Sequence, residues 1–320
     1  MKIALIGAGA AGAACVSVLR SRGADFSVFE KARGAGGRLA TRRVTLEPGA
    51  IELRYDHGAP FFKLTSIDQN PICLGLQKRN IIESTEQGFT SCPDMPRLVK
   101  DLFGTTAIQF GVEVQSLERQ DGSWFVQTKI KSDIEKTEIF GPFDKVIVSA
   151  PAPQALKILN TNKCSWLSDL NAIQYVPCWA LMFSTKTDTF QNHPASGSII
   201  SSLVLQNTKP GRIVPKGIAS WVAQASAEWS LKHLESESSM VQNAMLEEAL
   251  RLSSSSHLQV VHATVHRWRY SQVSAALNTP ALIDDACGLY YVGDACHGGG
   301  VEGALLSGAH VGNHIAASLN

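Results

Sequence analysis

The sequence predicts an α/β fold. A doubly wound, parallel-sheet domain is assembled from both ends of the chain and encloses an α+β insertion built on an antiparallel sheet. Three observations predict it. An apolar run, KIALIG at 2–7, leads into GAGAAG at 7–12 and then an Ala-rich stretch. A second strand–glycine–helix pattern, LYYVGDACHGGGVEGALLSG, stands at 289–308. Between them, from 172 to 279, the texture turns to alternating, strand-like runs.

Each element has its own reason. KIALIG is short and rich in Ile and Leu, as suits a buried parallel strand. Residues 10–22 end near Arg20, Arg22 and Gly23, a cationic last turn with a glycine stop, as suits a helix. DFSVFE (25–30) is a second strand, completing a βαβ unit of about 30 residues. Residues 42–62 alternate around the turn residues EPG (47–49) and predict a hairpin. Residues 92–103 predict a helix started at Pro93–Asp94. VEVQSLERQDGSWFVQTK (112–129) is a hairpin around Asp121–Gly122. KVIVSAP (145–151) is a buried strand, and 152–159 start a helix. CWALMFS, GSIISSLVL, GIASWVAQA and LQVVHATVHRWRY supply the antiparallel sheet. A helix fits 237–253, SSSS (253–256) is a loop, GLYYVGDA (288–295) is a buried strand and 301–318 an amphipathic helix. The expected division is 1–66, 104–160 and 280–320 in the nucleotide-binding domain, with 67–103 and 161–279 in the second.

Composition excludes several classes. With 44% hydrophobic and 18% charged residues the chain is ordinary globular protein, and its net charge of +1 gives no field favouring nucleic acid or an anionic membrane. The seven cysteines form no C-x-x-C and are odd in number, against a disulfide framework or a thiolate zinc site. Met1, Lys2 and the apolar run after them resemble an export signal, but glycines at 7, 9 and 12 fit a strand, turn and helix better. No run of roughly 18 apolar residues predicts a membrane span. A cytoplasmic monomer is expected.

The chemistry begins at GAGAAG. Gly7 permits the tight turn, Gly9 lets backbone approach a pyrophosphate, and Gly12 lets helix and strand pack closely. The helix N-terminus offers free N–H groups and a partial positive charge. Glu30, 18 residues past Gly12, suits a ribose 2′-OH and disfavours a 2′-phosphate. The motif alone is compatible with NAD or FAD. RGAGGRLATR (33–42) suits a phosphate-wrapping loop whose Arg38 forks onto diphosphate oxygens, or a solvated basic loop. In the 289–308 segment Asp294 is placed for a ribityl hydroxyl, and a helix from about Val301 points its positive end at an electron-rich ring. That second segment favours a flavin over a plain nicotinamide dehydrogenase.

These pieces, with YDHGAPFF (55–62), PDMPRLVKDL (93–102), FGVEVQSLE (110–118) and WRY (268–270), resemble the flavin amine oxidase superfamily, and within it the renalase-like proteins. The resemblance implies a glutathione-reductase-type FAD domain, with a second domain whose sheet roofs the flavin. It implies contacts to non-covalently bound FAD from Gly7, Gly9, Ala11 and Gly12, and from Glu30 and Lys31. Gly37, Arg38, Gly58, Ala59 and Val114 follow. Gly293, Asp294, Val301, Glu302, Gly303 and Ala304 complete the set. It also implies an oxidase that takes hydride from off-pathway dihydro-isomers of NAD(P)H and passes electrons to O2, giving peroxide. The alternative is a flavin amine oxidase or desaturase-like enzyme on an apolar substrate; a flavin-binding scaffold without turnover is disfavoured by the absence of an appended module. The chain departs from the family pattern at Pro60, where Gln is common, at Phe61, where Tyr is common, and at Gly300, where Arg is usual.

His57, His297 and Tyr270 are flavin-proximal candidates by motif position. His57 reads more simply as a core or surface histidine, and His297 either touches the ring or caps its loop. Cys296 beside His297 raises covalent attachment, which the surrounding pattern does not support. Trp179, Trp221, Trp229 and Trp268 read mostly as core, or as an aromatic roof. Arg267 and Arg269 meet a phosphorylated substrate or form the solvent face of a strand.

Overall fold

The computed structural model describes residues 1–47, 51–65, 67–130, 136–159, 164–186, 199–213, 215–252 and 258–318. The first part of the chain runs β1 (Lys2–Ile6), α1 (Ala10–Arg20), β2 (Asp25–Glu30), β3 (Thr41–Leu46), β4 (Ile51–Asp56), α2 (Pro71–Lys78), β5 (Ile82–Thr85), β6 (Gly88–Ser91) and α3 (Pro96–Phe103). Next come β7 (Ile108–Phe110), β8 (Val112–Gln120), β9 (Ser123–Ile130), β10 (Lys136–Phe143), β11 (Lys145–Val148), α4 (Ala152–Leu159) and α5 (Leu167–Ala172). The third part runs β12 (Gln174–Lys186), β13 (Ile200–Leu205), β14 (Ile218–Ala225), α6 (Ala227–Lys232), α7 (Ser238–Leu252) and β15 (Gln259–Ala275). Last come β16 (Leu282–Asp284), β17 (Leu289–Tyr291) and α8 (Gly300–Ala317).

The expected α/β architecture is present. Six strands form one sheet in the order β16-β17-β11-β1-β2-β7, parallel except for the edge strand β16. Both ends of the chain contribute, so β1 lies beside β2 and β11, and β17 beside β11. β1 shows why its residues form a buried strand. Its alternation sends Ile3 and Leu5 into the core shared with α1, α3 and α8, and Ala4 and Ile6 into the core under the β8–β10 meander and α4. Leu98, Val99, Leu102 and Phe103 of α3 join the first of those cores.

The second sheet is antiparallel, β13-β14-β12-β15. Its two faces differ. Trp179, Leu181 and Phe183 of β12 pack with Val241, Met245 and Ala249 of α7. Met182 on the opposite face packs with Leu53 and Tyr55 of β4. The β3–β4 hairpin therefore lies against this face of the sheet.

Several boundaries differ from the sequence reading: the strand expected over 288–295 stops at Tyr291 and leaves Asp294 in a short 3-10 turn. The helix expected over 92–103 begins at Pro96, because a proline without an N–H is tolerated in the first turn and not further in. The last helix begins at Gly300. The EPG turn (at Pro48 and Gly49) and the SSSS loop lie outside the described residues.

Candidate cofactor and substrate site

The glycine turn is shaped by three different constraints. Gly7 sits at φ +102, and a Cβ there would stand 2.8 Å from the Ser149 carbonyl oxygen. A Cβ on Gly12 would stand 2.8 Å from the Gly7 carbonyl oxygen, close to the Leu5 side chain. A Cβ on Gly9 would meet nothing within 4 Å. Gly9 caps α1 without a side-chain hydrogen bond. The Gly12 amide donates to Ser149 Oγ at 3.1 Å, while the amides of Ala10 and Ala11 donate to no described residue. Free amides at a helix N-terminus beside a bare glycine form a cradle for an anion.

Glu30 closes the far side. Its buried carboxylate accepts from the amides of Ala8 at 2.8 Å and Ala32 at 2.7 Å, which fixes the acid against the turn and leaves lone pairs for a hydroxyl. Gly36 donates to the Ala8 carbonyl at 2.9 Å, and a Cβ on Gly37 (φ +55) would lie 3.6 Å from Gly9 Cα. Lys31 is exposed and donates to Gln154 Oε1 at 2.9 Å.

Arg38 does form a fork, but its partner in the structure is Asp294, at 2.9 and 2.6 Å. The same guanidinium donates to the Ser271 carbonyl at 3.2 Å and lies 5.8 Å from the Tyr175 ring centroid. Burial works against its charge, but Asp294 outweighs burial and raises its pKa. The pair joins two motifs 256 residues apart. The Ala59 amide donates back to the Arg38 carbonyl at 2.8 Å, and a Cβ on Gly58 would lie 1.9 Å from that oxygen. Val114 is buried in β8 beside a register shift.

The C-terminal motif builds a second cradle. Gly298, Gly299 and Gly300 take φ +79, +96 and +73, left-handed backbone that favours glycine. Gly293 donates to Ser307 Oγ at 3.1 Å and Gly299 to the Asp294 carbonyl at 2.8 Å. Val301 and Glu302 open α8, the Glu302 carboxylate receives both the amide and hydroxyl of Thr65, and Ala304 is buried behind them. A Cβ on Gly303 would lie 2.7 Å from the His297 carbonyl oxygen. Gly308 packs onto Ala11 and Gly312 onto Cys15 and Val18, so α8 runs parallel to α1 in close contact. At about 1.5 Å per residue, that register carries the α8 N-terminus roughly 10 Å beyond that of α1. Two positive helix ends thus point the same way at different depths, each able to meet its own electron-rich group.

Above these cradles lies the inner face of the antiparallel sheet. Trp268 Nε1 donates to the His57 carbonyl and Gln224 Nε2 to that of Gly58, each at 2.8 Å. The His57 ring meets His266 edge-on at 4.9 Å and lies 5.4 Å from Trp268, while His266 and Trp268 are 4.4 Å apart. Burial, then His266 and Arg42, push His57 down to about 4; burial, then Arg42, push His266 down to about 4. Both imidazoles are therefore neutral at pH 7. Tyr270 packs edge-on to Tyr175 at 5.7 Å, beside Arg38.

The three residues singled out in the sequence do not meet. His57 lies under the roof and Tyr270 at its rim, whereas His297 is exposed. Of the tryptophans only Trp268 reaches the site; Trp179 and Trp221 belong to the core with α7, and Trp229 packs against it. Arg267 and Arg269 pair with exposed Glu235, the solvent-face reading. Sequence reasoning missed His266, Gln224, Tyr175 and a buried charge cluster behind the hairpin. There Asp56 binds Lys209 and Arg212 and accepts from Thr41 Oγ1 at 2.5 Å. Lys209 also donates to the Pro60 carbonyl at 2.7 Å. Burial raises Asp56, but Lys209 and Arg212 together hold it below the usual carboxylate range. No group of residues suited to a metal occurs among the described residues.

Comparison with known proteins agrees with this geometry. Residues 5–72 match the family model of NAD(P)-binding Rossmann-like domains, and residues 92–316 that of flavin containing amine oxidoreductases. The fold is similar to cyclohexylamine oxidase from Brevibacterium oxydans IH-35A, with TM-score 0.67 at 10% identity over 99% of each chain. It is also similar to an oxidoreductase from Methanosarcina mazei, with TM-score 0.60 at 16% identity over 97% of this chain and 99% of that one.

Proposed function

We propose a function from one established premise: this chain belongs to the flavin containing amine oxidoreductase family, and is a flavin-dependent oxidoreductase. The flavin we assign is FAD. The single observation that carries the assignment is the pair of parallel, offset helix N-termini, each opened by glycines. Ala10 and Ala11 amides would hold the diphosphate, Glu30 the adenosine ribose, Asp294 and Arg38 the ribityl–diphosphate stretch, and the α8 N-terminus the ring's electron-rich edge. Val114 would back the adenine side. Attachment is non-covalent: the Cys296 thiol is buried and its pKa is pushed up to about 12, far from nucleophilic at neutral pH.

When bound, FAD supplies two-electron chemistry, accepting hydride from a substrate and returning electrons to an acceptor, here O2 with peroxide as product. The chain's own work is orientation and exclusion of water. His57, His266 and Trp268 form one uncharged aromatic cluster, and Tyr270 with Tyr175 a second beside Arg38, against which a planar ring would pack. The two imidazoles are uncharged at neutral pH and offer no imidazolium acid, which suits hydride transfer better than acid–base chemistry. The substrate reading is renalase-like: a dihydro-isomer of NAD(P)H, oxidised to NAD(P)+ by a cytoplasmic monomer. Residues 1–66, 104–160 and 280–320 would form the FAD domain, and 67–103 and 161–279 the substrate domain. Stopped-flow mixing with dihydronicotinamide isomers and with amines tests it. Flavin bleaching within seconds by a dihydronicotinamide is expected. Bleaching by amines alone would transfer the assignment to amine oxidation.

A further inference from the structure

The β3–β4 hairpin presents an apolar face to the inner side of the antiparallel sheet. Directly opposed residues in an antiparallel pair share a face. Arg42 opposes Tyr55, Val44 opposes Leu53 and Leu46 opposes Ile51. Five of these six side chains join the hydrophobic cluster against Met182, Ile218 and Val222. Arg42 is the exception, a half-buried guanidinium on an otherwise apolar face. It makes no hydrogen bond, ion pair or cation–π contact with any described residue.

Among the described residues no acid pairs with it. Arg42 shares its face with Tyr55, on which His262 stacks, and its charge acts on His57, His262 and His266. The His262 ring stacks on Tyr55 at 5.9 Å, and its Nε2 is buried without a partner. Asp56 alternates to the other face of the hairpin and is already shared by Lys209 and Arg212. Leaving a guanidinium partly desolvated and unpaired is costly unless something charged completes it.

We propose that Arg42, with His262 and the His57–His266 pair beside it, is an oxyanion-binding subsite, and that the substrate is a planar ring carrying a carboxylate or phosphate. This rests on the reading that the roof is the substrate site, and it narrows that reading: an alkylammonium is repelled here and a phosphorylated dihydronicotinamide is attracted. Guanidinium is suited to either oxyanion because its fork matches both geometries.

The test uses the flavin-loaded protein and three ligands of one shape. Benzoate, benzyl alcohol and benzylammonium are titrated while the flavin absorption spectrum is followed. Benzoate should bind tightest and benzylammonium weakest, and Arg42→Ala should weaken benzoate roughly tenfold to a hundredfold while leaving benzyl alcohol unchanged. Arg42→Lys should recover part of the loss. Inorganic phosphate competing with benzoate assigns the subsite to a phosphate arm; carboxylate binding without that competition assigns it to a carboxylate. Benzylammonium binding as tightly as benzoate to the unaltered protein, a result independent of any variant, overturns the proposal, as does an unchanged benzoate affinity in Arg42→Ala. Should dihydronicotinamides fail to bleach the flavin while the benzoate results hold, the nicotinamide reading falls and the oxyanion subsite stands.

Discussion

Replacing Gly9 with alanine separates the needs of the fold from those of the cofactor. Gly9 has φ −92 and ψ −174, extended backbone open to any residue. Its added Cβ meets nothing within 4 Å. The cofactor-free chain should therefore tolerate the change, or gain about 0.4–1 kcal/mol from a less flexible unfolded state. The methyl group instead occupies the space before the free amides of Ala10 and Ala11. A diphosphate seated there must withdraw, an overpacking cost of about 1–3 kcal/mol. At about 1.4 kcal/mol per factor of ten, flavin affinity falls roughly 5- to 150-fold. Gly12→Ala is the contrast. Its Cβ would stand 2.8 Å from the Gly7 carbonyl oxygen, so the backbone itself must shift and the deflavinated protein loses stability. Urea unfolding of both deflavinated variants, with fluorescence titration of FAD, reads the two effects apart. Gly9→Ala binding FAD within twofold of the unaltered protein would refute the assignment of this turn to the diphosphate.

Two further outcomes follow from buried charge. Asp56→Asn strands two buried cations, Lys209 and Arg212, and should cost about 3–5 kcal/mol in urea unfolding; a loss below about 1 kcal/mol contradicts the pairing. Acid should also weaken the fold through His57, which is nearly fully buried. Its folded pKa of about 4 lies below the ordinary histidine value of 6.5, so the folded state binds fewer protons between those limits. Stability is full above pH 6.5 and declines as pH falls toward 4, by roughly 3 kcal/mol at about 1.4 kcal/mol per pH unit. His57→Asn should flatten that part of the pH profile of urea midpoints, and an unchanged slope counts against a buried neutral imidazole.

What the sequence made legible was local. The strand, glycine turn, helix and acid of residues 2–30 are fixed by periodicity and by glycine spacing, and the structure follows them closely. The alternation of HATVHRWRY also showed that residues 262, 266, 268 and 270 share a face. It did not show which face is inner, because the other carries Arg267 and Arg269 and the first carries histidines, so neither is plainly apolar. His297, read from its neighbours in sequence as touching the ring or capping its loop, stands exposed just before three left-handed glycines. Lys209 and Arg212 sit in QNTKPGR, a polar stretch that reads as a surface turn, yet both are buried on an acid more than 150 residues away. Nothing local encodes such a partner.

The contact of α1 with α8 explains why the nucleotide site draws on both ends of the chain. A helix end attracts negative charge only within its first turn, so one N-terminus cannot serve a diphosphate and a distant ring together. Two parallel helices in register would place both positive ends at the same depth. The close approach allowed by Gly308 on Ala11 and Gly312 on Cys15 fixes α8 seven residues further forward, and the Arg38–Asp294 pair ties the intervening loop to the same frame. The offset is thus set by where small residues fall in α8. Moving that pattern by one helical turn would shift the second cradle by about 5 Å while leaving the first intact. Under the proposed FAD assignment, cofactor length is set by the packing of two helices, and GAGAAG alone could not distinguish one dinucleotide from another.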